Sequence, residues 1–202
     1  MGYHRAGFEV VGVDIVPQPR YPFEFHQADA MTYPLDGFDA IHASPPCQAY
    51  SALRSLHPGN DYADLYGAIR CRLSEARKPW VIENVIGSPY RSGVVLCGSM
   101  FGMPIRRHRN FEASFLMLAP SCQHAQQSDL VGVYGASDGL HEPGFKHPGH
   151  KRGPRQVTTT EAREVMGMPW VLERHGLTQA VPPAYTEWIG GQLLALPEVT
   201  CG

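Results

Sequence analysis

A cysteine, a glutamate and a pair of arginines stand out in this sequence because their types and spacing could do chemistry. Cys47 follows two prolines and an apolar run, and it precedes Gln48. A cysteine in such a loop, at the end of a strand, can act as a nucleophile. The alternative interpretation is a buried free cysteine, which is the commonest fate of a lone thiol.

The glutamate and the arginines follow two later apolar runs. Glu83 comes directly after residues 80–82, and a carboxylate there can serve as an acid, a base or a hydrogen-bond partner. Arg107 and Arg109 flank His108, and alternation along an extended chain would place both guanidinium groups on one face. Such a pair could clamp a base, a phosphate or a carboxylate. The alternatives are a carboxylate that caps a helix and an arginine pair on a solvated surface.

Strands and helices that alternate along the chain would position these side chains. Apolar runs predict strands near residues 8–14, 38–42, 80–82 and 94–96. Apolar residues at helical spacing predict helices over residues 60–77 and after Pro183, and Gly7 would end a short first helix. This order predicts an α/β fold with a mostly parallel, doubly wound sheet, which brings Cys47 and Glu83 to one edge.

Residues 113–156 differ from the rest of the chain because they are rich in Gly, His, Pro and Ser. They predict a small, loop-rich insertion with one apolar stretch near residues 130–134. Regular structure would resume at Thr158, which can form a capping box with Glu161 at the start of a short helix.

Composition indicates one compact domain with no global attraction for nucleic acid. The chain has 202 residues, 43% of them hydrophobic and 18% charged, with 21 glycines and 18 prolines. That balance favours one α/β domain with many loops. The formal net charge is −2, so any contact with nucleic acid would come from local basic clusters. Two such clusters occur, one at Arg106, Arg107 and Arg109 and another at Lys146, Lys151, Arg152 and Arg155.

The cysteines favour a reducing, cytoplasmic setting. There are five, an odd number, and no Cys-x-x-Cys pair occurs. The sequence shows no signal peptide and no long apolar span, so we expect no membrane association. Cys122, His124, His141, His147 and His150 are residue types that bind zinc, but structural zinc sites usually have tighter paired spacing, and we expect no metal.

In combination and in this order, these segments resemble the DNA cytosine-5 methyltransferases over nearly the whole chain. Cys47 lies in a Pro-Cys loop, and Glu83 begins a Glu-Asn-Val motif. Arg107 and Arg109 match the end of the family's Gln-x-Arg-x-Arg motif. Two C-terminal segments also match, namely residues 155–169, which resemble Arg-x-Leu-Thr-x-Arg-Glu followed by Gly-Phe-Pro, and residues 179–183, which resemble Gly-Asn-Ala-Val-Pro-Pro.

The resemblance implies a Rossmann-like, S-adenosylmethionine-dependent methyltransferase fold with a small loop-rich insertion. Residues 1–112 and 157–202 would form the catalytic domain, and residues 113–156 would form a small target-recognition insertion. The implied partner is double-stranded DNA. We expect a monomer in the cytoplasm of a bacterium, encoded by the bacterium or by a phage.

The resemblance also implies roles for the catalytic residues. The Cys47 thiolate would add to C6 of a flipped-out cytosine and make C5 nucleophilic. Glu83 would hydrogen-bond N3 and the exocyclic amine, while Arg107 and Arg109 would hold the base. C5 would then take the methyl group of S-adenosylmethionine, and loss of the C5 proton would release Cys47.

Seven residues match positions that bind the cofactor in that family. Asp14, at the end of its strand, would bind the ribose hydroxyls, and Asp29 would contact the adenine. For both aspartates the alternative is a carboxylate that forms a turn. The full set is Asp14, Ile15, Asp29, Ala30, Pro45, Gln179 and Val181.

The chain departs from the family at its start, where no Phe-x-Gly-x-Gly-Gly segment precedes Phe8. We therefore expect the sheet to lack its central first strand and the cofactor to bind weakly. Smaller departures are Ile105 in place of Gln, and Thr178-Gln179 in place of Gly-Asn.

Three other functions stay open at this point. One is an inactive relative that binds DNA or a partner, which the missing segment favours and the intact Cys47, Glu83 and Arg109 oppose. A second is another pyrimidine-C5 enzyme that uses a different one-carbon donor. A third is an unrelated cysteine hydrolase, which would need His42 or His57 beside Cys47.

Overall fold

The computed structural model of the chain describes residues 1–50, 64–90, 92–135 and 154–197. The helices are α1 (Gly2–Arg5), α2 (Tyr66–Glu75), α3 (Thr159–Met166), α4 (Arg174–Gln179) and α5 (Pro183–Leu194). The strands are β1 (Val11–Asp14), β2 (Glu24–Gln27), β3 (Ile41–Ala43), β4 (Trp80–Asn84), β5 (Gly93–Leu96), β6 (Arg109–Ala113), β7 (Val131–Gly132) and β8 (Arg155–Gln156). Short 3₁₀ helices cover Gly98–Phe101 and His124–Gln126.

The larger sheet mixes parallel and antiparallel strands, so the prediction of a mostly parallel sheet is wrong for this sheet. Its order is β3-β4-β6-β5, with β3 parallel to β4 and with β6 antiparallel to both of its neighbours. Strand β6 was not predicted from the sequence. It runs antiparallel because residues 97–108, which connect it to β5, contain only one turn of 3₁₀ helix, whereas a parallel return needs a long crossover.

Strand β4 lies at the centre of a three-layer arrangement and is buried along its whole length. Trp80 and Ile82 pack against α2 on one face of the sheet. Val81 points to the opposite face, where it belongs to a cluster that includes Tyr185 and Ile189 of α5. Successive side chains of a strand alternate between faces, so the apolar run at 80–82 fills two cores, as expected of a sheet with helices on both sides.

Strands β1 and β2 form a separate parallel pair. A cleft of about 660 Å³ lies between β1 and β3, and residues of both strands line it. The described residues therefore form no continuous sheet from β2 to β5.

A buried carboxylate connects α2 to the larger sheet through hydrogen bonds. Glu112 of β6 accepts hydrogen bonds from Tyr66 Oη at 2.8 Å and from Arg70 Nε at 2.6 Å. The Arg70 guanidinium also lies 5.8 Å from the ring centroid of Trp80. The helix predicted over residues 60–77 is confirmed over its described part, where it begins at Tyr66 and ends at Glu75, and residues 51–63 lie outside the described residues.

A third cluster joins the C-terminal helices to the described part of the predicted insertion. Val131 and Val133 pack with Ile105 and with apolar residues of α3 and α4. The division of the chain at residues 113 and 156 stays a prediction. No helix within the described ranges is long and apolar enough to span a membrane.

Of the two hydrogen bonds of the capping box predicted for α3, one forms. Thr158 Oγ1 accepts a hydrogen bond from the Glu161 amide at 3.2 Å. The Glu161 carboxylate does not return this bond, because it pairs with Arg155 at 2.5 Å. Gly167 ends the helix in the left-handed conformation, with a φ of 66°.

We expect Glu112→Gln to lower the free energy of unfolding by about 2 kcal/mol, because the substitution removes the buried anion that pairs with the half-buried Arg70 guanidinium. Urea denaturation would measure the change. Glu75→Gln is the matched control, since Glu75 is exposed at the end of α2 and its loss should change stability little. Equal effects of the two substitutions would contradict the structural role of Glu112.

Candidate active site

The parallel pairing of β3 and β4 brings the Cys47 loop beside Glu83. Ala43 lies opposite Ile82 in the register, so the chains leave the sheet together at the same edge. Asn84 Nδ2 then donates a hydrogen bond to the Pro45 carbonyl at 3.1 Å. Cys47 lies two residues further along this tethered loop and is half-buried.

Glu83 and Arg109 form an ion pair at this edge. Arg109 Nε lies 3.1 Å from Glu83 Oε1, and their side chains are 17% and 10% exposed, respectively. Arg109 reaches Glu83 because it begins β6, which is antiparallel to β4, with Asn110 opposite Asn84.

Arg107 is buried and contacts the backbone of two other segments. Its guanidinium donates hydrogen bonds to the carbonyls of Thr178 and Val133, and its own carbonyl accepts one from Tyr185 Oη at 2.6 Å. Burial lowers the pKa of Arg107 to about 10, and the nearby charge of Arg109 acts in the same direction. Arg107 therefore stays cationic at neutral pH and organises the C-terminal segment, whereas Arg109 contacts Glu83 directly.

Burial raises the pKa of the Glu83 carboxyl above its ordinary value. The positive charge of Arg109, a hydrogen bond with Ser44 and the charge of Arg107 each oppose the shift, but they do not cancel it. A carboxyl that holds its proton at higher pH than usual can donate a hydrogen bond to a ring nitrogen or give up a proton to it. Sequence reasoning missed Ser44, although its place at the end of a strand next to the loop was a usable signal.

The cleft between the two sheets gathers three of the seven predicted cofactor residues. Asp14, Gln179 and Val181 line it, as does Glu83. None of the other four residues lines the cleft. Ile15, Asp29 and Ala30 are exposed, and Pro45 is buried. Their role in binding a cofactor stays a prediction.

Both predicted cofactor aspartates also make turns. Asp14 Oδ1 accepts a hydrogen bond from the Val16 amide at 2.8 Å, and Asp29 Oδ1 accepts one from the Met31 amide at 2.8 Å. The turn-forming interpretation is therefore correct for both. Asp14 Oδ2 accepts a hydrogen bond from Gln18 Nε2 at 3.5 Å, and both residues line the cleft.

His42 is not arranged as a partner for the Cys47 thiol. Its ring nitrogens contact Tyr3 Oη at 2.8 Å and Ser44 Oγ at 3.2 Å. Burial lowers its pKa to about 4, so the ring is neutral at physiological pH. The arrangement gives no support to a cysteine hydrolase, and His57 lies outside the described residues.

The described members of the predicted basic clusters make contacts within the protein. Arg155 pairs with Asp129 at 3.3 Å and with Glu161 at 2.5 Å. Arg107 is buried, and Arg106 donates to Gln127 Oε1 at 3.0 Å. These contacts reduce the positive charge that Arg155 and Arg107 can offer to phosphates. Lys146, Lys151 and Arg152 lie outside the described residues.

Comparison with known proteins identifies a shared fold. No family model matches the chain, and no curated protein matches it. The structure is similar to the crystal structure of a presumed DNA modification methyltransferase encoded within a prophage of E. coli, with a TM-score of 0.62 and 16% sequence identity. The match covers 96% of this chain and 94% of that one. The predicted α/β architecture is thus supported over nearly the whole chain.

The raised pKa of Glu83 predicts a specific pH dependence of stability. The folded state binds this proton more tightly than the unfolded chain, whose carboxyl has its ordinary pKa of 4.5. Glu83 therefore lowers the free energy of unfolding progressively as pH rises from 4.5 through the raised value. Glu83→Gln removes this titration, so the variant should gain stability relative to the wild type as pH rises.

Urea denaturation of both proteins between about pH 5 and about pH 8 would measure the difference. The change with pH of this difference in the free energy of unfolding reports on the titration of Glu83, because all other titrating groups are common to both proteins. Glu75→Gln, which changes an exposed carboxylate, should leave no such trend. A wild-type–variant difference that stays constant over the range would show that the Glu83 pKa is not raised.

Proposed function

We propose that this protein transfers a methyl group from S-adenosylmethionine to C5 of a cytosine in DNA, through a covalent bond between Cys47 and the base. The observation that carries the proposal is the Glu83–Arg109 ion pair, which lies at the same sheet edge as the tethered Cys47 loop. The overall similarity to a presumed DNA modification methyltransferase supports the same class of reaction.

Each catalytic side chain has a defined task in this reaction. The Cys47 thiolate forms a bond to C6, and the electrons of the C5–C6 double bond move into the ring toward C5 and N3. Glu83 donates its hydrogen bond or proton to N3, which balances the charge that develops on the ring. When C5 has been methylated and has lost its proton to a base, the C6–S bond breaks and Cys47 is regenerated as a thiolate.

The environment of Glu83 suits this task. Its raised pKa keeps a larger fraction of the carboxyl protonated near neutral pH than an exposed glutamate would have. Arg109 stabilises the carboxylate that remains after the proton has moved. The ion pair thus serves both protonation states, and the hydrogen bond with Ser44 limits the orientations of the carboxyl.

The cleft beside Glu83 has the size and residue types that a nucleoside cofactor needs. Its volume of about 660 Å³ falls within the usual range of small-molecule sites. Asp14 offers an acceptor for ribose hydroxyls, and Tyr21, Phe25 and Val181 add apolar surface. S-adenosylmethionine bound there would supply an electrophilic methyl group within a cleft that Glu83 also lines.

The target cytosine must leave the DNA stack, because the Cys47 thiolate has to approach C6 from above the plane of the ring. The loop of Cys47 is held by Asn84 at the open edge of the sheet, where an extruded base could enter. The residues that would recognise a DNA sequence belong to the predicted insertion, much of which lies outside the described residues.

We expect Cys47→Ser to abolish methyl transfer, since a serine hydroxyl is a far weaker nucleophile toward C6 than a thiolate. The assay would use unmethylated DNA of mixed sequence and S-adenosylmethionine, with mass spectrometry of the digested nucleosides. Cys71→Ser is the matched control, because Cys71 is exposed on α2 and has no role in the proposed reaction. The expected product of the wild type and of the control is 5-methylcytosine.

The same DNA prepared with 5-fluorocytosine would test the covalent step directly. Fluorine at C5 leaves no proton to lose, so the adduct with Cys47 should accumulate as a protein–DNA complex that survives denaturation. Methylation on an exocyclic nitrogen would overturn the cytosine-5 chemistry. Binding of DNA without methylation by the wild type would favour an inactive relative.

We expect Asp14→Asn to weaken S-adenosylmethionine binding by about tenfold, since a charged acceptor for the ribose hydroxyls is lost while the turn hydrogen bond to Val16 can persist. Isothermal calorimetry without DNA would measure the affinity. Asp36→Asn is the matched control, because Asp36 is exposed and does not line the cleft. Equal affinities of the wild type and Asp14→Asn would remove Asp14 from the cofactor site.

A further inference from the structure

Four side chains of the types that bind zinc lie together next to the candidate active site. The proposed methyl transfer needs none of them. They are Cys97, His108, Cys122 and His124, and their ligand atoms all lie within 4.8 Å of one another. We propose that these two cysteines and two histidines bind one structural zinc ion. The proposal does not depend on the proposed reaction.

Two of the distances between ligand atoms match those of a tetrahedral zinc site. Zn–S bonds of about 2.3 Å and Zn–N bonds of about 2.0–2.1 Å place the ligand atoms of a tetrahedron about 3.3–3.8 Å apart. The Sγ atom of Cys97 lies 3.3 Å from Nε2 of His124, and the Sγ atom of Cys122 lies 3.6 Å from Nε2 of His108. Both pairs therefore already have the spacing that a shared zinc ion requires.

The set of ligands is that of a structural site. Two thiolates and two imidazoles complete four-coordinate zinc and leave no position for water or substrate. Cys97 is fully buried, while Cys122 is exposed, so the metal would lie just below the surface. The two thiolates would neutralise the charge of the ion, which makes burial at this depth favourable.

Hydrogen bonds around the four residues hold the ligands in place. Ser99 Oγ donates to Cys97 Sγ at 3.3 Å and accepts from the Gln123 amide at 3.1 Å. The His108 ring has a hydrogen bond with the backbone of Arg106. Arg106 in turn donates to the His124 carbonyl at 3.2 Å. Partners of this kind orient metal ligands in known sites.

The ion would connect chain segments that have little regular structure of their own. Cys97 directly follows β5, His108 directly precedes β6, and Cys122 and His124 belong to the segment beyond β6. Because His108 lies between Arg107 and Arg109, zinc binding would also limit the movement of both arginines. The metal would thus act as a positioning element for the Glu83–Arg109 ion pair.

The sequence did not predict this site, and we expected no metal there. Cys122 and His124 are close in the sequence, but their partners Cys97 and His108 come from segments that only the β5–β6 hairpin brings together. The three histidines that the sequence offered as further ligands, at positions 141, 147 and 150, lie outside the described residues.

Metal analysis of the purified full-length chain, in buffer without chelator, tests the proposal. We expect about one zinc ion per chain in the wild type and in Cys71→Ser, and a loss of most of that zinc in Cys122→Ser. Cys122 is the ligand to replace because it is exposed, so its substitution disturbs packing least. Zinc retained by Cys122→Ser at the wild-type level would overturn the proposed ligand set.

Cobalt substitution provides a second measurement on the wild type. After removal of the zinc, Co²⁺ should bind in about one equivalent and produce the visible and thiolate charge-transfer absorption of a tetrahedral sulfur–nitrogen site. A wild-type chain that contains no zinc and shows no such absorption would overturn the proposal. A disulfide between Cys97 and Cys122 in protein handled without oxidant, detected as two missing thiols, would also overturn it.

Discussion

The ion pair between Glu83 and Arg109 is the interaction on which the candidate site depends. A carboxylate whose side chain is only 10% exposed would be strongly destabilising without a cation or several hydrogen bonds. The cation comes from β6, and it reaches the carboxyl end of β4 because β6 is antiparallel to it. If β6 were parallel to β4, its first residue, Arg109, would lie at the opposite edge of the sheet, where β4 begins. The antiparallel hairpin is therefore what assembles the site.

The short segment at residues 105–109 connects this ion pair to the rest of the molecule. Ile105 is buried with the C-terminal helices α3 and α4. Arg107 contacts Thr178 through its guanidinium and Tyr185 through its carbonyl. This contact holds the turn between α4 and α5, whose residues line the cleft. The proposed zinc site would hold the same segment from its other side, through His108.

The separation of the two sheets gives the cleft its shape. Among the described residues, strand β1 pairs only with β2. Its other edge faces β3, and the cleft between these two strands has a volume of about 660 Å³. Asp14 lies at the carboxyl end of β1 and Glu83 at the carboxyl end of β4, which is where α/β sheets bind ligands. In the proposed reaction the cofactor and the base would therefore meet at one edge, although Asp14 and Glu83 belong to different sheets.

The sequence by itself determined the strands and helices that have strong apolar patterns. The run at 80–82 predicted β4, and the spacing of Tyr66, Ile69 and Leu73 predicted α2, because burial of one helix face or of both strand faces leaves a periodic signal. It also placed Cys47 and Glu83 at one edge, because parallel strands end together.

Only the tertiary structure decided how the remaining side chains are used. Arg109 pairs with Glu83 while Arg107 is buried against backbone carbonyls, although both follow the same local pattern. Arg155, a member of one of the predicted basic clusters, is paired within the protein, and Cys97 and His108 join Cys122 and His124. Such partnerships arise between residues that are distant in the chain. Local periodicity cannot predict them, because it describes which face of an element is buried and not which element covers it.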